Sequence, residues 1–140
     1  MNNVRFFTED IDFKTRNKTR IKRWICDSIT DHHKKVSSIN YIFGSDKYVL
    51  EINKKYLDHD SYTDIITFDN SARKDYIEAD IFISIERVEE NANAMQIPFD
   101  DELHRVMIHG VLHLIGYNDK TDAEKEEMRK KENHYLALRF

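Results

Sequence analysis

The apolar residues of this chain are densest between Leu103 and Ile115, and two histidines, His109 and His113, lie inside that stretch. An imidazole buried without a partner is costly, so a chain that folds around this segment must supply both rings with one. Residues 109–119 read HGVLHLIGYND. A spacing of four residues is about one helical turn, a rise of roughly 6 Å, so both rings leave the same face and can converge on one ion. Gly116 can take the left-handed conformation that stops a helix and turns the chain back. Asp119 then arrives as a third ligand. Two of the chain's three glycines, Gly110 and Gly116, fall inside this motif. The competing reading is a pair of core histidines bonded to backbone carbonyls; a carboxylate placed just past the helix stop favours the ion. Three protein ligands leave a fourth position open for water, as in a catalytic rather than a structural zinc site.

What is missing from the motif also matters. Zinc metalloproteases place a glutamate directly after the first histidine as general base. Gly110 has no side chain, so peptide hydrolysis by that route is disfavoured. A carboxylate in the ligand set lowers the site's charge by one unit relative to three histidines, which implies weaker Lewis acidity.

At 140 residues the chain is expected to form one domain, residues 1–140, with room for a sizeable core. Forty percent hydrophobic and 34% charged residues describe a globular protein rather than a disordered one. No run approaches the roughly 18 apolar residues that cross a bilayer. The N-terminal MNNVRFFTED has no apolar signal region, so a cytoplasmic location is expected. Cys26 is the sole cysteine, which excludes an intrachain disulfide and suits a reducing compartment; among Trp24, Ile25 and Ile29 it reads as core filler.

The net charge of −4 argues against a generic nucleic-acid coat protein. Its distribution is uneven. Through Asp60 there are 12 Lys or Arg against 9 Asp or Glu, and beyond it 10 against 17. Six of the ten residues from Lys14 to Arg23 are basic. A solvated helix face, which charge alone favours, and a phosphate-contacting surface both fit this run.

Hydrophobic periodicity places strands at 4–8, 37–43, 64–68 and 77–84, and helices at 15–33, 84–95 and 100–115. A further helix, capped by Ser45 or Asp46, runs through Tyr56, and the box Thr121-x-x-Glu124 opens a last one through about Leu138. Helix 100–115 is apolar almost all round in its second half and belongs at the centre. About four strands and about five helices in mixed order indicate an α+β fold with a mixed sheet over the histidine helix.

HGVLHLIGYND, followed by Lys120 and by Met128 and Glu132, resembles the signature HGxLHLxGYDH of the YbeY family of bacterial endoribonucleases and rRNA maturation factors. Upstream, LEINKKYLDHDSYTDIITF is similar to that family's LNxxYRxKDxPTDVLSF block, and EADIFIS to its GDIxIS strand. The resemblance implies a zincin-like α+β fold with one Zn2+ held by His109, His113 and Asp119, the last standing where the family has a third histidine. It implies cleavage of single-stranded RNA in 16S rRNA 3′ maturation and ribosome quality control. The small ribosomal subunit is the implied partner, and a monomeric state and no membrane attachment are expected. The family's arginine of the YR pair is Leu57 here, and Ala79 replaces the strand glycine. His59 matches the family's lysine; it reads either as the replacement cation or proton donor, beside the metal's water, or as an exposed loop residue. Thr63, Asp64 and Thr67 would line the RNA groove, and Lys18 and Lys22 would hold flanking phosphates. Two rivals stay open: a non-catalytic ribosome assembly factor with a structural zinc, and a zinc hydrolase of another substrate.

Overall fold

Alternating apolar residues make strand β2 (Lys35–Gly44) the middle of a four-stranded sheet, with Ile39, Tyr41 and Phe43 fully buried on one face. The computed structural model describes residues 3–140. β2 pairs in parallel with β1 (Val4–Thr8) and with β4 (Tyr76–Ser84), and β3 (Ile65–Asp69) runs antiparallel to β4 at the edge, in the order β1-β2-β4-β3. In register across the sheet, Phe6, Tyr41, Ile81 and Thr67 form one row of the inner face.

Five helices complete the α+β fold: α1 (Lys18–Thr30), α2 (Asp46–Leu57), α3 (Ile85–Met95), α4 (Phe99–Ile115) and α5 (Asp122–Leu138). Side-chain caps start three of them. Ser45 caps α2, Ser84 caps α3, and Thr121 with Glu124 forms the expected capping box of α5. α4 lies against the inner face: the Tyr41 hydroxyl donates to the Met107 carbonyl at 3.1 Å. Trp24 Nε1 donates to the Tyr135 carbonyl at 2.8 Å, tying α1 to α5. α2 packs on the opposite face, where the Tyr56 ring meets Phe68 edge-on.

α1 is shorter than the periodicity of 15–33 suggests. Phe13 packs on Phe43 and Phe99, with ring centroids 5.3 and 6.0 Å away, and holds the preceding segment in extended contact with the core. Asn17 enters the helix in a left-handed conformation without a side-chain cap. At the other end His33 takes φ 60°, and the amides of His33 and Lys34 return to Thr30 and Ile29, a Schellman-type stop without glycine. β2 starts earlier than 37 because a register shift between Val36 and Ser38 interrupts the alternation. Cys26 is half-buried against the core.

Gly110 sets how closely α4 meets β3. A Cβ there would lie 2.9 Å from Ile65 Cδ1 and 3.5 Å from both Ile81 Cδ1 and Thr67 Oγ1. Gly110→Val therefore overpacks this contact and should lower stability by about 2 kcal/mol, read as a lower urea midpoint at unchanged m-value. An unchanged midpoint would mean that α4 does not need this close approach.

Candidate metal centre

The last two turns of α4 carry His109 and His113 on one face, and their ring centroids lie 4.6 Å apart. Gly116, at φ 126°, ends the helix, with its amide returning to Leu112 and His113. The chain then reverses and brings Asp119 back over both rings. Asp119 Oδ2 lies 3.3 Å from His109 Nε2 and 3.2 Å from His113 Nε2. All three donor atoms fall within 4.8 Å of one another. Ligand atoms at ~2.05 Å around a tetrahedral zinc sit about 3.3 Å apart, so the two nitrogen–oxygen spacings already match a shared ion. Two imidazoles and a carboxylate are a donor set that fits zinc chemistry. These residues could hold a metal ion.

Glu132 on α5 fixes the first ligand. His109 Nδ1–H donates to Glu132 Oε2 at 2.6 Å, which leaves Nε2 free to face the site. Burial alone would lower the His109 pKa, but the Glu132 hydrogen bond and charge, with Asp119 and Asp64, outweigh it and raise the value. Glu132 is 5% exposed and surrounded by charge, with Arg129 Nη1 at 3.5 Å and Arg105 Nη1 at 3.9 Å from Oε1. Nearby, burial and then repulsion from Asp64 push the Glu102 carboxyl up to about 7, with Arg129 and His109 opposing. Arg105 Nε lies 3.1 Å from Glu102 Oε1 yet off the N–H axis, so the contact is ionic rather than a hydrogen bond. Sequence reasoning assigned Glu132 no role. Its signal was available: a carboxylate on the inward face of α5, beside buried Met128 and Tyr135.

The three ligand candidates open onto a cleft of about 560 Å³ whose other wall is the segment from Leu57 to Thr67. His59, Thr63, Asp64 and Thr67 all line it, as does Leu57. Burial raises the Asp64 pKa, His109 opposing, while the Asp64 carbonyl accepts from the Ser84 amide at 2.9 Å. Lys18 and Lys22 are not brought there. They ride on α1, where Lys22 Nζ sits 5.4 Å from the Phe6 ring centroid of β1. Among the described residues, no lysine or arginine lines the cleft. The remaining histidines serve other ends. Burial and then Arg139 lower His104 to about 4, and its Nδ1 accepts from Arg139 at 2.6 Å.

Comparison with known proteins identifies the family. The family model described as Endoribonuclease YbeY matches residues 3–138. The chain is similar to the Endoribonuclease YbeY of Cytophaga hutchinsonii, 52% identical over 134 residues, covering 96% of this chain and 94% of that one. It is 52% identical over 132 residues to the Flavobacterium psychrophilum protein of the same name, with 94% of each chain covered. The Bacteroides thetaiotaomicron counterpart is 44% identical over 136 residues, covering 97% and 98%. In structure it is similar to a Thermotoga maritima protein solved in solution, with TM-score 0.66 and 28% identity over 95% of this chain and 86% of that one.

Protons and metal compete for His109 Nε2, and a raised pKa moves that competition to higher pH than for an ordinary histidine of about 6.5. Metal affinity of the wild-type chain should therefore begin to fall on acidification already above that value. In Glu132→Gln the raising charge is gone and burial dominates, so the midpoint of the loss moves to lower pH. Affinity at pH 8 should meanwhile drop about 10- to 100-fold. Competition titrations with a chromophoric chelator check both; an unchanged midpoint and affinity would exclude the role given to Glu132.

Proposed function

The chain belongs to the Endoribonuclease YbeY family, and on that premise we propose that it is a metal-dependent endoribonuclease that cleaves single-stranded RNA. The observation that carries this reading is the cleft itself, where His109, His113 and Asp119 face the segment bearing His59, Thr63, Asp64 and Thr67. His109, His113 and Asp119 would hold one zinc ion, which when bound supplies Lewis acidity toward a phosphodiester. Family membership supports 16S rRNA near its 3′ end as substrate, a part in ribosome quality control, and the small ribosomal subunit as partner in the cytoplasm. Among the described residues no helix is long and apolar enough to cross a membrane.

The chain's own groups divide the remaining work. Gly110 offers no carboxylate, so proton transfer falls to another group. His59 is the one imidazole lining the cleft besides the ligand pair, and it would take or give a proton at the attacking or leaving oxygen. Thr63 and Thr67 present hydroxyls to the RNA strand. Thr63 Oγ1 is held by the Ile65 carbonyl at 3.3 Å, and Thr67 Oγ1 stands against Gly110. Lys18 and Lys22, outside the cleft, would contact phosphates further along a bound strand.

One observation favours a second reading. Leu57 lines the cleft and can neither neutralise nor hydrogen-bond a phosphate, which suits an assembly factor with a structural ion. The two readings part in one assay. Wild type should cleave single-stranded RNA, lose that activity on chelation and regain it with Zn2+, while Asp119→Ala falls at least about 100-fold because a ligand is gone. Equal cleavage by wild type and Asp119→Ala contradicts the enzyme reading. Unfolding of the chelated chain, with no cleavage by the loaded one, favours the assembly factor.

A further inference from the structure

We propose that Tyr62 is the nucleobase platform of the cleft, a stacking surface on which one unpaired base of the RNA strand is laid beside the metal centre. This rests on the reading of the cleft as a single-stranded RNA site and names the contact that selects the single strand.

Tyr62 is 57% exposed although it lines the same cleft as His109, His113 and Asp119. A large aromatic left in water within a site gives up the burial that would otherwise stabilise it. Its position is nevertheless fixed. On one side the buried Asn53 side chain donates to the Ser61 carbonyl at 2.8 Å; on the other the Ser84 amide donates to the Asp64 carbonyl at 2.9 Å. The Arg87 guanidinium lies over the ring, 5.4 Å from its centroid, and is itself held by Asp46 at 2.7 Å. With one face against a pinned cation, the geometry leaves the opposite face for a ligand.

The chemistry of the cleft says which ligand. No lysine or arginine lines it among the described residues, and Arg87, over the Tyr62 ring, is already paired with Asp46, so this wall has little fixed charge with which to grip phosphate. Stacking supplies affinity of another kind, tolerant of sequence because every base has a π face. A duplex hides those faces within its own stack, so only an unpaired nucleotide can use the platform. In the family block quoted above, proline stands at the position of Tyr62 and arginine at that of Leu57. This chain thus lacks that arginine and carries an exposed ring within one short segment.

The test uses the full, metal-loaded chain. Binding is read by fluorescence anisotropy with single-stranded 2′-O-methyl RNA, and cleavage by steady-state kinetics on unmodified RNA. Tyr62→Ala should weaken binding about ten-fold, raising KM with little change in kcat. Tyr62→Leu, apolar but not aromatic, should lose as much, and Tyr62→Trp should recover most of the loss. A strand with one abasic nucleotide at the stacked position should bind wild type as weakly as the intact strand binds Tyr62→Ala, and should not weaken that variant further. Wild type that binds and cleaves RNA while Tyr62→Ala and Tyr62→Leu match it overturns the platform and leaves the nuclease standing. Wild type that neither binds nor cleaves single-stranded RNA overturns both.

Discussion

The burial of α4 against the inner face of the sheet governs everything that follows in this molecule. Val106, Met107, Ile108, Val111 and Leu112 are all buried, and the Tyr41 hydroxyl meets the Met107 carbonyl from the sheet side. A helix so enclosed has little freedom to rotate, since any turn would expose apolar surface at roughly 25 cal/mol per Å². His109 and His113 therefore face the cleft as a consequence of core packing. Gly110 lets β3 come close enough for its leading segment to form the opposite wall. The site is a by-product of a tightly packed core, which gives its geometry rigidity without a dedicated scaffold.

Charge around the centre is arranged to receive a cation. Asp64, Glu102, Asp119 and Glu132 cluster about His109, and two of them, Asp64 and Glu102, have pKa values raised first by burial. Arg105 and Arg129 offset part of this charge from a second recess that shares Asp64, His109 and Asp119 with the cleft. Glu102 Oε1 and Glu132 Oε1 accept no hydrogen bond and meet these arginines only through ionic contacts. A divalent ion between His109, His113 and Asp119 would lower the remaining repulsion among the four carboxylates.

Much of this was legible in the residues. The motif of 109–119 carries its own geometry, because helical spacing and a glycine stop act locally, and the structure brings its three donors together. The alternation of Ile39, Tyr41 and Phe43 identified the buried face of β2, and Thr121 with Glu124 marked the start of α5. Strand order was not legible, since the β1-β2-β4-β3 arrangement depends on crossovers that periodicity does not encode. The ends of α1 were missed because Phe13 is held by distant aromatics and His33 plays a part usually given to glycine. Glu132 was named with the motif but given no role, because its partner lies on another helix, 23 residues away. Tyr62 had no helical or strand period to betray it, being on a loop whose shape comes from Asn53 and Ser84.

X-ray absorption at the zinc edge of the reconstituted chain bears most directly on the account. It predicts one ion per chain in a four-coordinate shell of two imidazole nitrogens and two oxygens at about 2.0–2.1 Å, with the shell lost in Asp119→Ala while the fold is retained. A chain that folds fully yet binds no stoichiometric ion, or binds one equally well without Asp119, would contradict it.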